Sequence, residues 1–349
     1  MTTKIPPELI EDQVFGRRNI LINGDFGIYQ RALQTTGVGA SAGYFTADRW
    51  VINPSTEGRL TMTAATADAP SESNVYTSLK LDCTTADTSL GAGQYCLLDQ
   101  RIEGFNLQHI KKGTSEAKQL TASFWVKGNA SATYVVELYD NDNTRQVSKS
   151  FSVTSSWSKV ELTFPTDTTG TFDNDSSTSL FFQIWLTAGS NYTSGTLSET
   201  WTSVTDANRA VGTSNFFSST NNVFYITAVQ LEVGSQATPF ERKQQNEALL
   251  ECQRYFQSAF YGGSAVPIQT YAYGSWKYCA PMRAAPTETI RSGTNFNRYN
   301  SSGLTGTIPE NQIQNTMSIT GVYDLAIRAY SQTSTDNYFE GRLELDAEL

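Results

Sequence analysis

The feature that most constrains this chain is a two-residue alternation of apolar and polar side chains, repeated in short segments. In Leu120-Thr-Ala-Ser-Phe-Trp-Val-Lys127, Leu120, Ala122, Phe124 and Val126 share one face. Tyr134, Val136 and Leu138 repeat the pattern. Val160, Leu162 and Phe164 follow, then Leu180, Phe182, Ile184 and Leu186, and a long final run covers residues 223–233. Successive side chains of an extended strand point to opposite sides, so each run buries one face and wets the other. Gly, Asn, Asp and Ser punctuate the runs as turn residues do. The expectation is an all-β chain whose main body is a sandwich of two sheets.

One segment departs from this period. Thr238-Pro239-Phe240-Glu241 reads as a helix start, with Thr capping, Pro in the first turn and Glu closing a capping box. Leu249, Cys252, Phe256 and Phe260 then follow at helical spacing, which predicts a helix over residues 239–260. Alternation returns beyond it: Tyr323, Leu325, Ile327 and Ala329 share one face, and Phe339, Leu343, Leu345 and Ala347 share another. The predicted order is an N-terminal docking arm at 1–18, the sandwich at 19–237, a linking helix at 238–261 and a small β domain at 262–349. Ile5, Leu9, Ile10 and Phe15 are the apolar residues with which the arm would grip a neighbour.

Composition excludes several classes of partner. Charged residues make up 17% of the chain and the net charge is −9. The densest cationic spots are Arg17-Arg18 and Lys111-Lys112. Binding to nucleic acid requires several phosphates to be neutralised, so no nucleic-acid partner is expected, and nothing steers the chain toward anionic membranes. No apolar run approaches the roughly 20 residues of a membrane span, so no membrane insertion is expected. The first residues lack the apolar core of a signal peptide, and synthesis in the cytoplasm is the expectation. Cys83, Cys96, Cys252 and Cys279 are widely spaced and read as buried free thiols. Cys83 and Cys96 could face each other on adjacent strands.

No catalytic constellation is legible. His109 is the single histidine, with no G-x-S-x-G elbow to serve. Zinc chemistry needs more His or Cys ligands than the chain supplies, and no phosphate loop or dinucleotide fingerprint is present. Glycan cleavage would need two carboxylates about 5–9.5 Å apart. The obvious acids, Asp140, Asp142, Asp173 and Asp175, sit in turn-like contexts where Asx side chains bond their own backbone. Catalytic residues are therefore expected to be none. The tryptophans at 50, 125, 157, 185 and 201 either stack on a ligand or fill core and interfaces. Trp125 and Trp185 lie opposite the clearest apolar faces and should point outward, and Trp201 falls in a loop-like stretch. Tyr271, Tyr273, Trp276 and Tyr278 form a dense aromatic run. Trp125, Trp185, Trp201, Tyr273 and Trp276 are the candidate glycan or receptor contacts.

A collinear set of phrases spans residues 16–255. It comprises Arg18-Asn-Ile-Leu-Ile-Asn-Gly-Asp-Phe26, Tyr29-Gln-Arg31, Ala47-Asp-Arg-Trp50, Gln100-Arg-Ile-Glu-Gly104, Ser123-Phe-Trp-Val-Lys127 and Ala188-Gly-Ser-Asn-Tyr-Thr-Ser-Gly195. It continues through Ile226-Thr-Ala-Val-Gln-Leu-Glu-Val-Gly234, Ala237-Thr-Pro-Phe-Glu-Arg242 and Cys252-Gln-Arg-Tyr255. Met282-Arg-Ala-Ala-Pro286 and Leu345-Asp-Ala-Glu-Leu349 extend it to the end. The set resembles a family of bacteriophage virion proteins common in tail fibres and other appendages. The resemblance implies a jelly-roll sandwich similar to carbohydrate-binding modules, then a helix and a small β domain. It also implies assembly as a homotrimer, attachment to a host surface glycan or receptor, and docking to other tail or virion proteins through residues 1–18. Jelly rolls of that kind often share a structural calcium between the first and last strand regions, which here would be Asp25 and Glu232; no other cofactor is implied. The expected function is that of a non-enzymatic virion adhesin. A purely architectural head- or tail-decorating subunit and a polysaccharide depolymerase are the alternatives.

Overall fold

The structure, a computed structural model, describes residues 17–265, 271–290, 296–300, 303–308, 313–314, 324–330 and 338–349. The arm residues Ile5, Leu9, Ile10 and Phe15 lie outside the described residues, as does Tyr323. The chain divides into two compact units, with the second running Asn246–Glu348.

The first unit is a jelly-roll sandwich. Its strands are β1 (Gln34–Val38), β2 (Gly43–Tyr44), β3 (Val51–Ser55), β4 (Arg59–Thr66), β5 (Thr77–Thr85), β6 (Tyr95–Glu103) and β7 (Leu120–Gly128). They continue as β8 (Ala132–Asp140), β9 (Arg145–Val153), β10 (Ser158–Phe164), β11 (Thr178–Ala188), β12 (Thr202–Ser203) and β13 (Val223–Val233). Sheet A has the order β1-β4-β5-β13-β7-β10, and sheet B the order β12-β9-β8-β11-β6-β3-β2. Every pairing within them is antiparallel. The chain passes between the sheets repeatedly, which brings both inner faces into one core.

That core contains the alternating residues read from the sequence. Leu120, Ala122, Phe124 and Val126 of sheet A meet Val136, Leu138, Leu180, Phe182 and Ile184 of sheet B, all buried. Trp50 is fully buried and packs on Phe26 and Phe182. Burying one large apolar side chain contributes about 1.5–3 kcal/mol, so the sandwich core is amply sized for one unit.

The segment after Arg18 is fastened to β13 by two backbone hydrogen bonds, Ile20 N to Leu231 O and Val229 N to Gly24 O, and by a set of side chains. Asn19 donates to Val229 O and accepts from Leu21 N and Leu231 N. Gln100 both donates to and accepts from the Ile22 backbone. The Asn23 side chain bonds four backbone groups, among them Asp48 O. A Cβ on Gly24 would lie 2.0 Å from Val229 O, so only glycine lets the segment cross β13 there. Asn19, Asn23, Gly24 and Gln100 of the collinear phrases are these fasteners.

The helix differs from the expectation. It spans only Gln245–Gln253, here α1. Thr238 is not its cap, because the Thr238 amide and hydroxyl donate to Glu232. Glu241 accepts from the Arg18 and Asn19 amides and donates its own amide to Gln230. The capping-box residues are thereby committed to β13 and the N-terminal segment, and residues 238–244 stay out of the helix. At the other end, Phe256 opens strand β14 (Phe256–Ala265) rather than continuing the helix. It pairs along its length with β21 (Tyr338–Asp346). That pairing satisfies the backbone of a stretch whose Gly262-Gly263 would weaken a helix.

The second unit is built on an antiparallel sheet that also contains β15 (Tyr271–Lys277), β16 (Thr287–Ile290), β17 (Phe296–Asn300), β18 (Gly303–Ile308), β19 (Ile313–Gln314) and β20 (Asp324–Tyr330). Leu345 and Ala347 are buried, while Glu344, Asp346 and Glu348 are half-exposed, as their alternation predicts. Cys83, Cys96 and Cys252 are buried, but Cys279 is exposed. Cys83 and Cys96 lie on β5 and β6, which belong to opposite sheets and not to adjacent strands.

Candidate functional site

The outward face of sheet A carries a continuous aromatic and cationic surface. The register aligns Thr63, Lys80, Tyr225 and Lys127 in one row across β4, β5, β13 and β7. Trp157, immediately before β10, extends the row. A second row aligns Thr227, Trp125 and Lys159. These residues occupy the polar parity of strands whose alternate positions fill the core, so they face away from it. Lys80, Tyr225, Trp125, Lys127 and Trp157 are all half-exposed.

The first row is held by electrostatics as well as by pleat. Lys127 Nζ lies 4.3 Å from the Tyr225 ring centre and 4.9 Å from that of Trp157. It is also 2.9 Å from Asp68 Oδ1. Trp157 Nε1 donates to the same Asp68 oxygen at 3.4 Å, and its ring meets Tyr225 edge-on at 6.0 Å. Lys80 Nζ sits 5.7 Å from the Tyr225 ring on the other side and pairs with Asp82 at 2.8 Å. Cation–π contacts at such exposed sites contribute about 0.5–1 kcal/mol each. Their larger effect is to hold two rings in fixed orientations beside polar groups. Such a surface offers flat apolar area for a ring's C–H face and nearby donors and acceptors for its hydroxyls.

The other predicted residues are placed differently. Trp185 does lie on the outward face of sheet B, but it is 1% exposed. The chain after β11 folds over it, with Tyr192, Leu197 and Ala210 packed around the ring, and its Nε1 donates to Glu137 at 2.8 Å. It is thus not open to a ligand. Alternation locates a face but carries no information about a loop that returns to cover it. Trp201 is half-buried: its Nε1 donates to Pro165 O, and its ring lies 5.3 Å from Lys112 Nζ. That lysine joins Asp140 at 2.6 Å and Asp167 at 3.1 Å, and Arg145 Nε meets the same Asp167 oxygen at 2.7 Å. Trp201 therefore walls an ion network. Asp167 is held below the ordinary carboxylate range, because Arg145 and Lys112 outweigh the upward push of burial. Asp140 is raised, since burial outweighs the contributions of Lys112 and Asn143. Asp140 also anchors the β8–β9 turn by accepting from Asn143 N, the Asx role expected of it.

Tyr273 and Trp276 fall on β15, whose backbone pairs them with Arg328 and Leu325 of β20; their side chains lie outside the described residues. Asp25 and Glu232 are not brought together in any described contact. Glu232 accepts from Gln230, and from Thr238 twice, while burial raises the Asp25 carboxyl. Among the described residues no group of three His, Cys, Asp or Glu side chains gathers as a metal site. His109 is half-buried and burial lowers its pKa.

The candidate contacts named from the sequence include Trp125 but neither Tyr225 nor Trp157. Tyr225 was within reach, because it alternates with Phe224 and Ile226. Trp157 lies in the turn before β10, where period-2 reading cannot assign a face.

No protein-family model matches the chain, and no curated protein matches it. Among solved structures, the chain is similar to a family 30 carbohydrate-binding module at 11% identity and a TM-score of 0.32, over 68% of this chain and 97% of that one. A module named TmCBM61, in complex with β-1,4-galactotriose, aligns at 11% identity and a TM-score of 0.33, covering 62% of this chain and 100% of that one. The enzymatically active domain of bacteriophage CBA120 tailspike protein 4 aligns at 13% identity and a TM-score of 0.31, over 62% of this chain and 21% of that one.

Proposed function

We propose that this chain is a non-catalytic adhesive subunit of a phage appendage, which attaches to a host surface glycan through the outward face of sheet A. The observation that carries the reading is the row Lys80–Tyr225–Lys127–Trp157, in which half-exposed rings alternate with cations across adjacent strands. Exposed aromatic surface of this kind marks recognition. The collinear phrases over residues 16–255 support the virion assignment, and the homotrimer and the docking arm at 1–18 belong to the same reading. A trimer would multiply a weak single-site affinity. On the sheet A face the carboxylates of Asp68 and Asp82 are engaged by Lys127 and Lys80, an arrangement suited to holding rather than cleaving.

The test is an array of bacterial capsular and O-antigen oligosaccharides probed with the full chain and with Tyr225→Ala, Trp157→Ala and Trp125→Ala. The expected result is selective retention by the parent protein, reduced at least tenfold in Tyr225→Ala or Trp157→Ala, with a melting temperature lowered by no more than a few degrees. Equal retention by all variants would overturn the assignment to this face. Release of reducing ends from the bound polysaccharide would overturn the non-catalytic reading.

A further inference from the structure

Around the end of the sandwich from this face lies a pocket of about 300 Å³. It is formed where the β7–β8 hairpin meets the chain entering β13. Asn129, Ser131, Ser214, Ser218 and Asn222 line it, with the Tyr134 ring as an apolar wall, and none of its lining residues is charged. The polar groups are held in place by bonds on their inner sides. Asn129 Oδ1 accepts from Val223 N at 2.9 Å, which leaves its amide group to donate. Ser214 Oγ accepts from Thr133 N at 3.0 Å and keeps its hydroxyl proton. Asn222 Nδ2 donates to Phe216 O and Ser218 Oγ, which leaves its carbonyl oxygen to accept. Tyr134 is wedged edge-on against Phe224 at 5.4 Å, fixing the wall.

A small pocket with prearranged uncharged donors and acceptors around one aromatic wall selects a neutral, hydroxyl-rich ligand. A charged ligand would lose hydration there with no opposite charge to replace it. The volume is at the lower end of the roughly 300–1,000 Å³ usual for small-molecule sites, so one or two sugar units fit and a longer chain does not. The pocket also adjoins the aromatic row along the strands. Gly128 follows Lys127, and Val223 lies two residues before Tyr225; both line the pocket. Gly128 N donates to Thr154 O, at the start of the turn that delivers Trp157.

We propose that this pocket is a second saccharide subsite, which takes a single neutral pyranose at the end or branch of a glycan lying on the sheet A face. The link to a longer glycan rests on the functional reading above; the pocket's preference for a neutral pyranose does not. Isotope-labelled full chain is titrated with free glucose, galactose and mannose, with glucuronic acid as the anionic control and glycerol as the polyol control. The expected result is perturbed amide signals at Asn129, Ser131 and Asn222 with at least one neutral sugar. The response is lost in Ser131→Trp and in Ala130→Trp, two exposed rim positions, and kept in Tyr225→Ala. Ser131→Trp also weakens retention on the glycan array by about tenfold. No perturbation at sugar concentrations far above a millimolar, or an equal response to glycerol or glucuronic acid, would overturn the inference while leaving array binding by the sheet A face intact. Persistent pocket perturbation with no array binding by any form would instead sink the functional reading and leave the pocket as an isolated neutral-sugar site.

Discussion

The two outward faces of the sandwich are built on the same antiparallel frame and solve opposite problems. Across sheet A the central row is Thr63, Lys80, Tyr225 and Lys127, a hydroxyl followed by half-exposed aromatic and cationic groups. Across sheet B the corresponding row is Ser148, Glu137, Gln183 and Asp99, all buried. Arg209, brought in from the connection between β12 and β13, clamps Glu137 through Nε at 2.9 Å and a second nitrogen at 3.1 Å. Its guanidinium also lies 5.1 Å from the rings of Tyr139 and Trp185. Cross-strand cations and rings left at the surface contribute little to stability and remain available to a partner. The same kinds of group, once covered, become structural and expensive to disturb.

The sharpest break of this contrast is Arg209→Ala. It leaves Glu137 buried without its cationic partner, and should cost about 3–5 kcal/mol, lowering the melting temperature by roughly 10 °C for a unit of this size. Glycan retention at a temperature where the variant is still folded should be unchanged. A loss below 1 kcal/mol would mean that sheet B is not wired as described.

Trp185→Phe comes next. It keeps most of the ring but removes the indole donor to Glu137, for an expected loss of about 1–3 kcal/mol by unfolding measurements. A specific loss of glycan binding in this variant would instead make Trp185 a ligand contact.

Asp99 gives the pH dependence. Burial pushes its carboxyl up to about 7, against the opposing pull of Arg101, Gln183 and Arg49. In that window the folded chain keeps a proton that the unfolded chain has lost. Stability should therefore fall as pH rises from the ordinary value of 3.8 to about 7, and level off above it. Asp99→Asn should flatten that decline in a series of melting curves. An unchanged slope would show that another group sets it.

The smallest stability effect belongs to the open face. Tyr225→Ala should cost about 1 kcal/mol or less, the scale of an exposed cation–π contact, while abolishing most array binding.

Much of the sandwich was legible in the sequence because burial on one face of a strand imposes period two. Leu120 to Val126 and Leu180 to Leu186 were assigned to the core on that ground, and Trp125 to the surface. The helix expected from residue 239 starts only at Gln245 for a physical reason. Thr238 and Glu241 have the chemistry of a capping box, but Glu232, Gln230 and the Arg18–Asn19 backbone compete for the same groups and prevail. Local propensity is a weak preference that a few tertiary hydrogen bonds outweigh.

The sequence by itself therefore determined which residues turn inward, since the alternation of side chains is a property of the extended backbone. It also pointed to a sandwich, since alternating strands must bury one face and the chain offers few helices to cover it. Only the tertiary structure decided which outward rings stay in water. Trp125 and Trp185 have equivalent places in their strands, yet one stands half-open beside Thr227 and Lys159 while the other lies beneath Tyr192, Leu197 and Ala210. That outcome depends on the path of a connecting loop, which is set by packing between residues distant in sequence and leaves no periodic trace along the chain.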